Sequence, residues 1–259
     1  MTNAMTLYQG LLSLLDRGQW RDQRHLKTAV NMLVGLMLSS SISLTGWIPY
    51  ARLGRALQAQ SVQRRFARWL NNERVDVHGL YAPLIQEALT GWGQSRLYLA
   101  LDTTVLWDQY CMICLSVIYR GRAVPLAWQA VEHGSAQVAF SVYRPLLQRA
   151  AALLPERTGK VVLLADRGFA DMNLMRLCGS LGWGYRVRIK SNFLVYRRGH
   201  GSVLVEQLLP KRKGKAVFLH HVLLTGQRHG PVHLALARPQ GTEDPWLIIS
   251  DELTGLQTL

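Results

Sequence analysis

The feature that most constrains this chain is a figure that occurs twice, a short apolar run that stops at an aspartate. Residues 97–104 read Leu-Tyr-Leu-Ala-Leu-Asp-Thr-Thr, so the first run ends at Asp102 and two hydroxyl residues follow. Residues 160–169 repeat it, with Val161-Val162-Leu163-Leu164-Ala165 running into Asp166-Arg167-Gly168-Phe169. Apolar runs of this length bounded by polar residues suit buried strands. Open α/β sheets gather their ligands at the carboxyl ends of such strands. Two strands that each deliver an acid there point to an α/β fold and meet the first need of metal-dependent phosphodiester chemistry.

The pattern around these runs says how they pair. Residues 111–119 and 123–131 read as strands, with turns at Asp108-Gln109 and Arg120-Gly121-Arg122, so they should form an antiparallel meander with 97–102. A helix is predicted over 135–154, where Pro145 demands a kink or a late start. The strand 161–165, a helix over 172–181 with Asp171 as its N-cap, and the strand 185–189 follow. A crossover helix brings the 161–165 strand back parallel to the first, so Asp102 and Asp166 should finish side by side. From 193 onward, short strands are expected at 193–196, 203–207, 216–224, 232–237 and 246–250, between basic or Gly/Pro turns.

Upstream the period is helical. Leu7, Leu11, Leu12, Leu14 and Leu15 give a short amphipathic pattern, and 27–43 reads as a buried helix carrying Val30, Leu33, Val34, Met37 and Leu38. The stretch 29–48 approaches the length of a membrane span, but Asn31 and Ser39-Ser40-Ser41 interrupt it, and no span is expected. Gly46 and Pro49 mark a break. Short helices are predicted over 50–58, over 61–70 with Ser61 as a cap, and over 77–89. In the second of these Arg64, Arg65 and Arg68 fall on neighbouring turns, while Phe66, Trp69 and Leu70 are available to pack inward. That combination fits a small helical DNA-binding module, or else an ordinary solvated arginine face. Trp92-Gly93-Gln94-Ser95 is the expected boundary, giving a helical region 1–92, a core 93–192 and a β-rich insertion 193–259.

Charge narrows the partner. The 259 residues carry 30 Lys and Arg against 16 Asp and Glu, a formal net charge of +14, which favours a polyanion and above all nucleic acid. Nine Lys and Arg between Arg186 and Lys215 face the single Glu206. Hydrophobic residues at 49% and charged residues at 18% exclude wholesale disorder. Three cysteines, Cys111, Cys114 and Cys178, make no disulfide framework and suit a reducing cytoplasm. Cys111 and Cys114 form a C-x-x-C, but within an apolar strand and without a second pair they read as core residues rather than zinc ligands.

At these residues the chain resembles the DDE transposases of bacterial insertion sequences, in the IS-four group. Leu99-Ala100-Leu101-Asp102-Thr103-Thr104 resembles the family's first-aspartate strand, and Ala165-Asp166-Arg167-Gly168-Phe169 its second-aspartate motif. Arg188-Ile189-Lys190-Ser191-Asn192 resembles the basic strand that follows. The resemblance covers about residues 60–250 and implies a ribonuclease-H-like catalytic core, a mixed sheet of three antiparallel strands plus parallel strands, with a β-rich insertion and an amino-terminal helical DNA-binding module. It further implies Mg²⁺ or Mn²⁺ held by Asp102 and Asp166, and cut-and-paste transposition of double-stranded DNA, with transposon ends and target DNA as partners and a homodimer on the DNA as an option. The family's third acid lies in a Tyr-x-x-Arg-x-x-x-Glu-x-x-x-x-x-x-Lys pattern, which this sequence does not contain. Asp251 and Glu252 are the only acids after the last expected strand, they follow a strand rather than lie in a helix, and Glu252 is a weak candidate for the role. The expectation is therefore a chain that ends before the final catalytic helix, an incomplete and inactive copy.

The chemistry explains the residue types. Phosphodiester hydrolysis and strand transfer need an activated oxygen and a stabilised departing 3′ oxygen, which two Mg²⁺ ions about 3.5–4 Å apart provide together. Mg²⁺ prefers hard oxygen ligands, so Asp102 suits a bridging ligand and Asp166 a ligand of one ion. Arg167, Lys190 and Asn192 could hold phosphates near the site, with a structural salt bridge the competing role for Arg167; Arg188, Lys211, Arg212 and Lys213 extend the basic run. His220, His221, His229 and His233 lack a clean zinc spacing, and Glu132 and His133 read as turn residues. Two other classes remain open: a non-catalytic protein that occupies transposon ends, and a free-standing ribonuclease-H-like nuclease.

Overall fold

The computed structural model describes residues 3–18, 20–51, 58–92, 96–155, 158–197, 199 and 201–259. The chain divides into two compact units, Met1–Thr90 and Gly91–Leu259.

The first unit is helical, with α1 (Asn3–Leu15), α2 (Gln23–Ser39), α3 (Leu44–Trp47), α4 (Ala59–Leu70) and α5 (Val77–Thr90). Asp22 starts α2 by accepting the Arg24 N–H at 2.8 Å, four residues before the expected start. Ser40 stops it in the left-handed region at φ 51°. Leu26, Val30 and Val34 form a buried stripe against Leu7, Leu11 and Leu15 of α1. Met32 joins a second cluster with Trp47, Val62 and Phe66. Gly35 permits that packing, since a Cβ there would stand 2.4 Å from Trp47 Cβ. In α4 the cap position falls to Gln58 rather than Ser61, and Val62 and Phe66 turn inward. No single described helix is long and apolar enough to cross a membrane. The helix expected over 50–58 and the boundary at 92–95 rest mainly on 52–57 and 93–95, outside the described residues.

The second unit is α/β, built on one mixed sheet of ten strands in the order β3-β2-β1-β4-β5-β10-β9-β8-β6-β7. The strands are β1 (Arg96–Leu106), β2 (Tyr110–Tyr119), β3 (Arg122–Glu132), β4 (Lys160–Ala165), β5 (Gly184–Arg188), β6 (Leu194–Arg197), β7 (Gly201–Leu204), β8 (Lys215–Leu224), β9 (His229–Arg238) and β10 (Trp246–Ser250). The first three form an antiparallel meander, β4 lies parallel to β1, and β5 lies parallel to β4. Strand β10 runs antiparallel to β5, so residues 193–259 extend the same sheet instead of forming a layer of their own. Helices α6 (Phe140–Leu153) and α7 (Met172–Ser180) bury Tyr143, Leu146, Leu147, Leu174 and Met175. On β1, Leu97, Leu99 and Leu101 share the buried face, and Tyr98, Ala100 and Asp102 the other.

Three elements depart from the sequence reading. Strand β1 does not end at Asp102; it runs four residues further because Thr103 to Leu106 continue the ladder with Ile113 to Tyr110. The turn is a three-residue loop, Trp107-Asp108-Gln109, which keeps the expected Asp108-Gln109; Trp107 and Asp108 lie in the left-handed region at φ 53° and 54°, and the Gln109 N–H donates to the Leu106 carbonyl at 3.2 Å. Helix α6 takes the late start, at Phe140, because 133–139 is held as a loop: the His133 N–H donates to the Gln109 carbonyl at 2.8 Å and Thr103 Oγ1 to the Ala136 carbonyl at 2.9 Å. The strand expected over 203–207 is instead the end of β7 followed by a 3₁₀ turn over Val205–Leu208. Cys111 and Cys178 are buried and all three cysteines are free. Cys111 and Cys114 lie three apart on β2, so alternation sends their thiols to opposite faces and no single ion can bridge them.

Candidate active site

The parallel register of β1 and β4 builds the site. Ala100 pairs with Leu164 and Leu101 with Ala165, so the next step along both strands sets Asp102 beside Asp166, about 4.8 Å away across the sheet. Strand alternation puts Asp102 on the face of Tyr98 and Ala100, while Asp166 follows the last residue of β4 in extended backbone at φ −81° and ψ 179°. Asp102 therefore marks the place where its neighbour β4 stops, inside its own strand. Both side chains are exposed.

Each carboxylate is fixed by one backbone amide. The Thr103 N–H donates to Asp102 Oδ1 at 2.8 Å, and the Gly168 N–H donates to Asp166 Oδ1 at 2.8 Å. The second contact caps a 3₁₀ turn over Arg167–Phe169, which explains the Asp-Arg-Gly-Phe motif residue by residue. Gly168 comes so close that a Cβ would stand 3.0 Å from Asp166 Oδ1. Phe169 anchors the turn, buried edge-on against Tyr143 with ring centroids 5.3 Å apart. Among the described residues the other oxygen of each carboxylate makes no hydrogen bond or ion pair, which leaves it open to a cation.

Cations surround this end of the sheet. Asp244, in the turn before β10, accepts both terminal nitrogens of Arg167 at 3.2 Å and Arg188 Nη2 at 2.8 Å. The hydrogen bond from Arg188, reinforced by Arg167, holds the Asp244 carboxyl below the usual carboxylate range. Two of the arginines expected to meet DNA thus share a solvent-exposed partner. Lys190 lines a cavity of about 430 Å³ with Arg167, Gly168, Asp171, Tyr143 and Gln137. Asp171 caps α7 by accepting the Asn173 N–H at 2.7 Å. Lys211, Arg212 and Lys213 are exposed in the loop before β8. Because Lys215 pairs with Arg238 and Ala237 with Trp246, that loop lies at the same sheet end as Asp166. It stands four strands along, about 19 Å at the usual spacing.

The late acids lie elsewhere. Glu252 binds Arg96 Nη1 and Lys160 Nζ, each at 2.7 Å, and these cations open β1 and β4. Asp251 Oδ1 accepts the Tyr185 N–H at 2.8 Å, at the start of β5. From Arg96 to Asp102 the strand rises about 20 Å, so neither acid converges on the aspartate pair. Burial pulls Glu252 upward, but the hydrogen bonds from Lys160 and Arg96 outweigh it and its pKa is lowered. Among the described residues no group of three or more His, Cys, Asp or Glu is already set to hold a metal ion.

In the helical unit Arg64, Arg65 and Arg68 are exposed on α4. Arg65 and Arg68 line a cavity of about 620 Å³ together with Arg24, Lys27 and Trp69. Arg24 and Lys27 were absent from the sequence reading, although their three-residue spacing just ahead of an apolar helix put them on one face. No family model matches this chain, and no curated protein matches it significantly.

Proposed function

We propose that this chain is a DNA transposase of the DDE type, a ribonuclease-H-like cytoplasmic enzyme that handles the ends of an insertion sequence with Mg²⁺ or Mn²⁺. The observation that carries the reading is the β1/β4 register, whose last pair, Leu101 with Ala165, is followed by an aspartate on each strand, Asp102 and Asp166. The strand order β3-β2-β1-β4-β5, a three-stranded meander followed by two parallel strands, supports the ribonuclease-H-like assignment. The chemistry of the donor set fits the cation, since each aspartate offers a hard oxygen while its other oxygen is held by an amide. Asp102 and Asp166 would hold the metal, which supplies charge to activate an attacking oxygen and to stabilise the departing 3′ oxygen. The chain's own groups do the positioning. The Thr103 and Gly168 amides fix the carboxylates, and Lys190, Arg167 and Arg188 bind phosphates beside them, with Asp244 keeping the two arginines oriented. Lys211, Arg212 and Lys213 take the duplex about 19 Å away, a span of five to six base-pair steps.

A second reading, a DNA-binding protein without transfer activity, is favoured by one observation: Asp251 and Glu252 are engaged at the opposite ends of the strands. One experiment separates the two. Cleavage and strand transfer are measured on duplexes carrying the element's ends, with Mg²⁺ or Mn²⁺, alongside DNA affinity. Under the first reading Asp102→Ala and Asp166→Ala each lower activity more than about a hundredfold and leave DNA affinity intact. DNA binding with no metal-dependent activity in the unsubstituted chain selects the second. Activity that survives both substitutions removes the aspartate pair from the chemistry.

A further inference from the structure

A second cluster of metal-ligating side chains lies away from the aspartate pair, on the β8–β9 hairpin. Leu219 pairs with Leu234 and Val222 with Val232, so His220 and His221 together oppose the single residue His233. That is a β-bulge, with one extra residue on β8. His221 adopts φ 56°, the left-handed region, and the break in alternation carries both imidazoles to the same partner. His220 Nδ1 stands 3.3 Å from His233 Nδ1, and the His221 ring centroid lies 4.9 Å from that of His233. His233 is buried, whereas His220 and His221 are exposed above it. Through the ladder His233 pairs with Ser250, Ser250 with Arg186 and Arg186 with Leu164, so the cluster stands level with the residue two before Asp166 but three strands along the sheet, about 14 Å at the usual spacing.

We propose that His220, His221 and His233 form a binding site for a borderline divalent transition ion of the Zn²⁺ or Co²⁺ kind. The separation of the two Nδ1 atoms carries the argument. Two nitrogens bound at 2.0–2.1 Å with tetrahedral angles must be about 3.3–3.4 Å apart, and His220 and His233 already show 3.3 Å. The three rings do not yet converge as a ligand set, so binding requires the exposed His221 ring to turn toward the pair, and a water completes the set as in open zinc sites. Exposure of two of the three rings gives an ion its way in. His229 is excluded, since it opens β9 opposite Leu224 and lies four residues from His233. In the metal-free chain the same 3.3 Å contact is a hydrogen bond in which one Nδ1 donates and the other accepts; for both Nδ1 atoms to face a cation, the donor ring's proton would move to its Nε2.

The test uses the tag-free chain, titrated with Co²⁺ and followed by its visible ligand-field absorption, then with Zn²⁺ as competitor. The expected result is one equivalent of tetrahedral Co²⁺, displaced by Zn²⁺ and unaffected by a large excess of Mg²⁺. His220→Gln combined with His221→Gln, both at exposed positions, should abolish the absorption while leaving thermal unfolding of the apo chain unchanged. His233→Gln should do the same. Asp102→Asn with Asp166→Asn, and His229→Gln, should leave it intact, so failure here is separable from failure of the transposase reading. No tetrahedral absorption in the unsubstituted chain overturns the proposal, as does absorption that survives the His220/His221 double substitution or yields to Mg²⁺.

Discussion

At the residue scale, the Asp-Arg-Gly-Phe motif shows how four adjacent side chains divide one task. Asp166 offers a carboxylate, Arg167 reaches Asp244, Gly168 admits the carboxylate to its amide, and Phe169 nails the turn to the core. The glycine is the sharpest test, because its Cβ would press on Asp166 Oδ1 from 3.0 Å without meeting the core. Gly168→Ala should lower metal-dependent DNA cleavage by up to about a hundredfold, the scale of a misplacement approaching 1 Å. The unfolding midpoint should hardly move, and cleavage rates across a Mn²⁺ titration would reveal the shift. The acids themselves were legible in the sequence, since an apolar run that stops at a carboxylate says where a strand delivers it. The partners of Arg167 and Arg188 were not. Asp244 lies 77 residues from one and 56 from the other, and only the β5/β10 ladder brings them together.

At the element scale, one carboxylate ties the starts of two strands and the middle of a third. Glu252 pairs with Arg96 at the head of β1 and Lys160 at the head of β4, and Arg186 of β5 stands 3.9 Å away. Removing it strands three cations in a partly buried spot, so Glu252→Gln should cost roughly 1–2 kcal/mol at neutral pH, between the values for exposed and buried pairs. The folded-state pKa of Glu252 lies below its unfolded value, so this contribution is complete above the unfolded pKa of about 4.3 and disappears as pH falls through the folded one. Urea unfolding of both forms should differ at pH 7 and converge at strongly acidic pH. Local pattern fixes the existence of these elements well and their ends poorly. Asp102 looked like a strand end because the apolar run stops there, but β2 offered four more partners and the ladder continued. The bulge at His220-His221 left no mark on the sequence, because its cause is a one-residue mismatch between two strands that are each regular on their own.

At the scale of the whole molecule, positive charge is spread over two compact units. Arg24, Lys27, Arg65 and Arg68 serve the helical one, while Lys190, Lys211, Arg212 and Lys213 serve the sheet. Each contact with phosphate releases a counterion, so replacing Lys211, Arg212 and Lys213 with Ala should flatten the plot of log affinity against log salt by up to about 3 units, equally for all duplexes. Replacing Arg64, Arg65 and Arg68 should also erode preference for transposon-end sequence, because a helix in the major groove can read base edges. Anisotropy titrations at several salt concentrations measure both, and unchanged slopes would return these residues to ordinary solvated surface.

The extension of β1 past Asp102 leaves the strand with a ladder on one side only. Through Leu101 it is clasped between β2 and β4, but from Asp102 to Leu106 only β2 remains. Every second amide of that segment faces the side beyond which β4 has stopped. In deuterium oxide these amides should exchange well before those of residues 97–101, and added DNA with Mg²⁺ should slow them first. A few backbone protons beside Asp102 would then time the arrival of substrate without any label on the DNA.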